Sequence, residues 1–286
     1  MKRIKFILFF LFIFSVKMYG AEDETLNICN ANILYDKTNG KPEETWAYRK
    51  DITLNFYNTH KFDIIAMQEV SQTQLADFKQ WKDYDYVGQG VYGDSSGMAN
   101  LIFFKLSKIE LVESGTFWFS PTPSQVSKGW DAAQFRNCTW ACLKDKRTNR
   151  IFYYFVAHFD HIGKDARLHS ALLMIDTIPK IAKGYPVIFS GDLNAVETDA
   201  LIVALKERLI DPRTVTRTPP QGSYGTGHGF RINVAVRRID WFFLNNGNGS
   251  NRFEVEEYEV IDKTYDGKCM SDHWPVRIKI KLTKVE

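Results

Sequence analysis

The sequence is short of the features that mark several large classes of protein. Of its 286 residues four are cysteine (Cys29, Cys138, Cys142 and Cys269), with no C-x-x-C pair and no zinc-type spacing. A disulfide-dense scaffold or a cysteine-ligated zinc site is therefore excluded as the organising principle. Cys138 and Cys142 fall in a predicted strand, where four residues of separation is too far for a bridge. A Cys29–Cys269 bridge stays open, and mostly buried free thiols are the expectation. No Pro/Ser/Gly linker, long charge run, fixed-period repeat or low-complexity tract divides the chain. One large domain over residues 22–286 is expected rather than two small ones. Beyond the first twenty or so residues, no stretch is long and apolar enough to cross a membrane.

Those first residues differ in kind. Met1-Lys2-Arg3-Ile4-Lys5 is basic, Phe6 to Phe14 is unbroken apolar, and Tyr19-Gly20-Ala21 follows. Residues 1–21 read as a secretory signal cleaved near Gly20 or Ala21, with an uncleaved anchor left open. No cysteine sits at the cleavage site, which argues against a lipoprotein anchor. Export to the periplasm or the extracellular space is the expectation. The segment carries Lys2, Arg3, Lys5 and Lys17 and no acid, so the formal charge of +3 becomes −1, with 33 basic against 34 acidic residues. A protein that grips long nucleic acid through its phosphates usually has a basic surplus, and this one lacks it.

What is present is a succession of short apolar runs. Leu26 to Ile33, Phe62 to Met67, Arg136 to Leu143, Ile151 to Ala157, Tyr185 to Phe189, Arg238 to Leu244, Phe253 to Ile261 and Pro275 to Leu282 read as strands, with several more between Tyr84 and Phe119. Helices are predicted from Pro42 to about Asn58, from a Ser71 cap to about Lys82, from Lys164 to Lys183 and in a short piece from Thr198. In the third of these Leu168, Leu172, Ile175 and Ile178 stand at helical spacing. Strands outnumber helices, and several are apolar on both faces. The pattern predicts stacked sheets covered by helices outside, an α/β (α+β) arrangement.

The polar residues at the strand ends carry the chemistry. Ser190-Gly191-Asp192-Leu193-Asn194 closes one strand; if the chain is still extended there, Asp192 and Asn194 share a side. An acid able to take a proton beside an amide able to orient a water is the start of a hydrolytic site. Asn32 ends the first strand and Glu69 the second. His158, Asp160 and His161 follow Ile151 to Ala157, Asp240 sits in Arg238-Ile239-Asp240-Trp241, and Ser271-Asp272-His273-Trp274-Pro275 leads into the last strand. Each has a bland alternative: Asp192 and Asn194 as turn formers, His158 as a bonded core histidine, Glu69 as a helix N-terminal acid, Arg136 as a simple salt bridge. Six such placements together point to one site.

This series resembles the endonuclease/exonuclease/phosphatase superfamily, whose members include pancreatic deoxyribonuclease, abasic-site endonucleases, neutral sphingomyelinases, inositol polyphosphate 5-phosphatases and mRNA deadenylases. The motifs Ala31-Asn32-Ile33, Gln68-Glu69-Val70, His158-Phe159-Asp160, Gly191-Asp192-Leu193-Asn194, Arg238-Ile239-Asp240 and Ser271-Asp272-His273-Trp274-Pro275 stand in family order. Trp46-Ala47-Tyr48-Arg49-Lys50, Ser114 to Trp118 and Ser127 to Asp131 resemble its exported bacterial branch. The resemblance implies a four-layer sandwich, two mixed β-sheets face to face flanked by helices, with the site at one edge. It implies a Mg²⁺ ion, or Mn²⁺, on Glu69 with Asn32 and Asp272 nearby. Asp192 takes a proton from the attacking water, Asn194 holds that water or a phosphate oxygen, and His158 and His273 donate to the phosphoryl oxygens. Asp240 fixes the tautomer of His273, Arg136 contacts phosphate, and Asp160 and His161 stand in support.

The expected activity is in-line hydrolysis of a phosphoester by a monomer. An exported phosphodiesterase or nuclease is the first expectation, and a phosphatase acting on a sugar phosphate or lipid headgroup the second. A binding module with lost chemistry is the third, and the intact polar positions weigh against it. The sequences around Asp192 and around Asp240 depart from the inositol phosphatase patterns, and His158 lacks the abasic-site signature. Trp118, Trp130, Tyr224, Phe230, Trp241 and Trp274 are candidates for stacking on a base or sugar, with most expected in the core. Gly222 to Gly229 reads as a mobile loop beside the site.

Overall fold

Alternation of apolar residues along short strands builds two sheets. The structure, a computed structural model, describes residues 25–94, 96–232 and 237–284. The secretory signal expected over residues 1–21 lies outside them. In chain order the described elements are β1 (Leu26–Asn32), α1 (Trp46–His60), β2 (Ile64–Val70), α2 (Gln72–Phe78), β3 (Tyr84–Val87), β4 (Ala99–Lys105), β5 (Ile109–Trp118) and β6 (Asn137–Asp145). They continue with β7 (Arg150–His158), α3 (Lys164–Ala182), β8 (Val187–Asp192), α4 (Ala200–Lys206), β9 (Asp240–Asn245), β10 (Asn251–Val260) and β11 (Val276–Lys284). One sheet has the order β10-β11-β1-β2-β4-β3 and the other β5-β6-β7-β8-β9. Each contains one parallel pair, β1 with β2 and β7 with β8, among antiparallel neighbours.

The two-residue period of the strands sorts side chains into layers. Ile28, Ile64, Ala66, Ile102 and Ile278 of the first sheet meet Leu143, Tyr154, Val156, Ile188 and Phe242 of the second in a shared core. The opposite faces are apolar as well. Cys29, Ile65, Met67 and Phe103 are covered by Trp46, Phe56 and Tyr57 of α1 and by Leu75 and Phe78 of α2. Phe155, Phe189 and Phe243 are covered by Ala171, Met174 and Ile178 of α3 and by Leu201 and Leu205 of α4. The result is the expected sandwich of helices, two mixed sheets and helices.

Several boundaries differ from the sequence reading. Pro42 to Glu44 form a separate 3₁₀ turn, and α1 starts at Trp46 because Thr45 is extended. Ser71 caps α2 by accepting from the Gln74 amide, but the helix stops at Phe78. Trp81 then turns inward, 4.9 Å from Phe78 and 5.6 Å from Phe103 between ring centroids. α4 begins at Ala200 rather than Thr198, behind the N-cap Asp199. On α3 the buried stripe includes Ala171, Met174, Ile178 and Ala182, whereas Leu172 is 45% exposed. All four cysteines are free, so the Cys29–Cys269 bridge is not formed.

The start of β9 is fixed by an ion pair inside the protein. Arg238 donates from Nη1 and Nη2 to the two carboxylate oxygens of Asp211, both at 2.7 Å. Its guanidinium carbon lies 3.8 Å from the centroid of the Trp241 ring. Removing one partner of a buried pair leaves an uncompensated charge, which costs more than the pair itself contributes. Asp211→Ala is expected to lower the free energy of unfolding by roughly 3–5 kcal/mol in urea denaturation. A change within experimental error would show that the pair does not hold this end of the sheet.

Candidate active site

The parallel pairs decide where the polar residues meet. β1 and β2 run together, as do β7 and β8, so their C-terminal ends carry Asn32, Glu69, His158 and Asp192 to one edge. Register then aligns His158 with Asp192 across β7 and β8, and Asp192 with Asp240 across β8 and β9. Asn32 connects the two sheets: its Nδ2 donates to Asp192 Oδ2 at 3.0 Å and to Glu69 Oε1 at 3.1 Å. Ser271 donates to the Asn32 carbonyl at 2.7 Å, which brings the segment before β11 to the same edge.

Local backbone features aim these groups. The β2–β4 register shifts between Met67 and Val70, and Glu69 sits in the left-handed region at φ 62°. This uncommon conformation for a glutamate turns its carboxylate toward the edge. Its Oε2 accepts from the Tyr35 amide at 3.0 Å. A Cβ on Gly191 would lie 1.9 Å from the Ala157 carbonyl oxygen, so only glycine fits between β7 and Asp192. Asn194, at φ 48°, donates its amide to Asp192 Oδ1 at 2.9 Å. Its Nδ2 donates to the Phe159 carbonyl at 3.1 Å and lies 3.2 Å from His158 Nε2. His158 Nε2 also lies 3.4 Å from Asp192 Oδ2, and its Nδ1 lies 4.0 Å from Glu69 Oε1, so each ring nitrogen faces a carboxylate.

The two histidines are shifted in opposite directions from the ordinary imidazole value. Burial, with Arg136, His273 and His161 nearby, holds His158 well below the ordinary imidazole value. Burial also pulls on His273, but Asp240 and Asp192 outweigh it and hold that ring well above the ordinary value. His273 Nδ1 is 2.8 Å from Asp240 Oδ2, and its Nε2 is 3.9 Å from Asp192 Oδ2. Asp192 is pushed up to about 7 by burial and by Asp240, against the pull of His273. Arg136 is buried, with Nη2 3.1 Å from His161 Nδ1 and Nε 3.5 Å from Asp160 Oδ2.

A cavity of about 590 Å³ opens on this edge and is lined by Glu69, Arg136, His158, His161, Asp192, Asn194 and His273. Asp240 stands behind His273, and Asp160 behind Arg136. Two residues are placed differently from the expectation. Asn32 turns its nitrogen to the carboxylates while its oxygen accepts from the Leu34 amide at 3.0 Å, so it bridges the carboxylates of the two sheets. Asp272 does not line the cavity, and its Oδ1 is 3.3 Å from the Ser271 hydroxyl. The six aromatic candidates do not line it either: Trp118, Trp241 and Trp274 are buried in the core. Sequence reasoning missed Tyr35, Lys37, Tyr92, Met98 and Gln134, which line the cavity from loops without a motif. The Gly222 to Gly229 loop is tied down, with Thr226 Oγ1 accepting from the amides of Ile239 and Asp240 at 3.1 and 3.0 Å.

The donors present fit a divalent cation. Glu69 offers a carboxylate to the cavity, held by two hydrogen bonds, and Mg²⁺ commonly needs only one or two carboxylates with water and phosphate oxygens. Asp192, Asp240 and His273 also bring ligand-type atoms within 4.8 Å of one another, a grouping their ion pairing explains without a metal.

Residues 25–273 match the profile of the endonuclease/exonuclease/phosphatase family. The chain is similar to a mannosyl-6-phosphatase of Bacteroides thetaiotaomicron, with 33% identity, a TM-score of 0.81, and coverage of 90% of this chain and 99% of that one. It is similar to a second family protein of that organism, with 32% identity, a TM-score of 0.82, and coverage of 90% and 97%. A CCR4-Not complex 3′-5′-exoribonuclease subunit of Coccidioides immitis is 27% identical over 164 residues, 49% of this chain and 21% of that protein. The chain spans between 21% and 31% of the length of the curated relatives it matches.

The support behind Arg136 generates a pH prediction. Burial raises the Asp160 carboxyl, but amides of Gly163, Ile162, Gln134 and Ala133 outweigh it and hold the group at about 2, below its ordinary 3.8. A depressed folded-state value stabilises above the unfolded value and is lost as pH falls through the folded one. With solvent screening allowed for, Asp160→Asn is expected to cost on the order of 1–2 kcal/mol at neutral pH, shrinking as pH falls from about 4 toward about 2. Urea unfolding across that range checks it, and a cost independent of pH would contradict it.

Proposed function

The chain belongs to the endonuclease/exonuclease/phosphatase family, and from that premise we propose that it is a metal-dependent hydrolase of phosphomonoesters acting on a small sugar phosphate. The observation that carries this reading is the cavity. Its volume of about 590 Å³ lies in the range of small-molecule sites. Arg136, Lys37 and His161 line it together with Asp192, Asn194 and His273. A terminal phosphoryl group carries more negative charge than a diester and gains more from such donors. The balance of 33 basic and 34 acidic residues after residue 21 favours a small substrate over a polyanion. The similarity to a mannosyl-6-phosphatase supports the same choice.

In this reading Asp192 accepts the proton of the attacking water, and Asn194 orients that water or a phosphoryl oxygen. His273, charged and fixed by Asp240, donates from Nε2 as negative charge builds on the phosphoryl group. His158 donates to a phosphoryl oxygen, and Arg136 binds phosphate. Glu69 would hold Mg²⁺ or Mn²⁺, which when bound supplies Lewis-acid charge at a phosphoryl oxygen. An exported location remains part of the proposal and rests on residues 1–21. The second reading is a phosphodiesterase or nuclease, the first expectation from the sequence; it is favoured by the exoribonuclease relatives and by Tyr35 and Tyr92 at the cavity, which can face a base.

Asp192→Asn is expected to reduce turnover of mannose 6-phosphate by about 10²–10⁴-fold. A preference for bis-p-nitrophenyl phosphate or single-stranded RNA over every monoester would select the second reading. The pH profile of kcat/KM is expected to rise through about 7 as Asp192 ionises and to fall at higher pH as His273 loses its proton. Asp240→Asn removes a negative charge that raises both groups, so both limbs should move to lower pH. Limbs that stay in place would contradict the coupling.

A further inference from the structure

One wall of the cavity is not explained by the hydrolytic groups. Val91, Tyr92, Gly97 and Met98 come from the connection between β3 and β4, and they face a site otherwise rich in charge. The described residues of this connection around Val91 are held in place. Val91 donates its amide to the Met98 carbonyl at 3.0 Å, and Trp118 Nε1 donates to the Val91 carbonyl at 2.7 Å. Asn137 Nδ2 reaches the Gly90 carbonyl at 3.4 Å.

Tyr92 is the largest side chain on that wall. It is 47% exposed, and it lines the cavity. Phe135 meets it at 5.3 Å between centroids with an interplanar angle of 66°. Gly97 has φ +75°, and a Cβ there would lie 2.8 Å from the Tyr92 ring. The bare backbone of Gly97 therefore lets the ring lie against it, and any side chain would displace the ring. The ring is supported by Gly97 and Phe135 and still open to the cavity.

We infer that Tyr92 is the specificity residue of this site, a platform for the apolar face of a pyranose leaving group. This rests on the phosphomonoesterase reading above. The face of an aromatic ring is electron-rich, and the C–H groups on one face of a pyranose are weakly electropositive and apolar, so the two pack together. An acyclic leaving group such as glycerol offers no such face.

The test compares kcat/KM for mannose 6-phosphate, glycerol 3-phosphate and adenosine 5′-monophosphate in the wild type, Tyr92→Ala and Tyr92→Phe. Tyr92→Ala is expected to lower the ratio of mannose 6-phosphate to glycerol 3-phosphate by about five- to tenfold, mainly through KM. Tyr92→Phe, which keeps the ring, is expected to keep the ratio. A ratio unmoved by Tyr92→Ala overturns the platform and leaves the phosphatase reading standing. A loss confined to adenosine 5′-monophosphate overturns the assignment to a pyranose. A wild type that cleaves bis-p-nitrophenyl phosphate but no monoester overturns both the reading and the inference.

Discussion

Two carboxylates placed side by side in a buried setting need a compensating charge, and the geometry of the site follows from that need. Register sets Asp192 opposite Asp240 on adjacent strands, and both are buried. Two like charges at that separation would repel strongly away from water. His273 resolves the conflict by pairing with Asp240 at 2.8 Å while lying 3.9 Å from Asp192. The surroundings keep it there: Ser271 ties its segment to β1, and Thr226 bonds the amides at the start of β9.

The same field separates the histidines. His158 is close to Arg136 and to the charged His273, so a proton on it is disfavoured, while the carboxylates beside His273 favour one. One ring is neutral and the other a cation. Asp192, with a raised carboxyl, is suited to accept a proton near neutrality. Asn32 joins this network to Glu69, so the group suited to a metal and the group suited to water activation share one amide.

The layers of the fold are legible in the sequence because strand alternation and apolar runs are local signals. The strand-end residues are legible because polar side chains bound the apolar runs at six places, at the C-terminal ends of β1, β2, β7 and β8 and at or before the starts of β9 and β11. The orientation of Asn32 is not legible, since it depends on the Leu34 amide that takes its oxygen. Asp272 adjoins His273 in sequence, yet it lies in the bend before β11 and does not line the cavity. The bulge at Glu69 and the Tyr92 wall are also hidden. Both depend on pairing and glycine contacts between segments that carry no motif.

His273 held as a cation by two carboxylates, beside a neutral His158, is the state on which the site depends. The direct measurement is a ¹⁵N NMR titration of the histidine rings in the wild type and in Asp240→Asn. At pH about 7 both ring nitrogens of His273 should be protonated and only one of His158, with the His273 transition moving to lower pH in the variant. A neutral His273 at that pH, or a transition indifferent to Asp240, would contradict it.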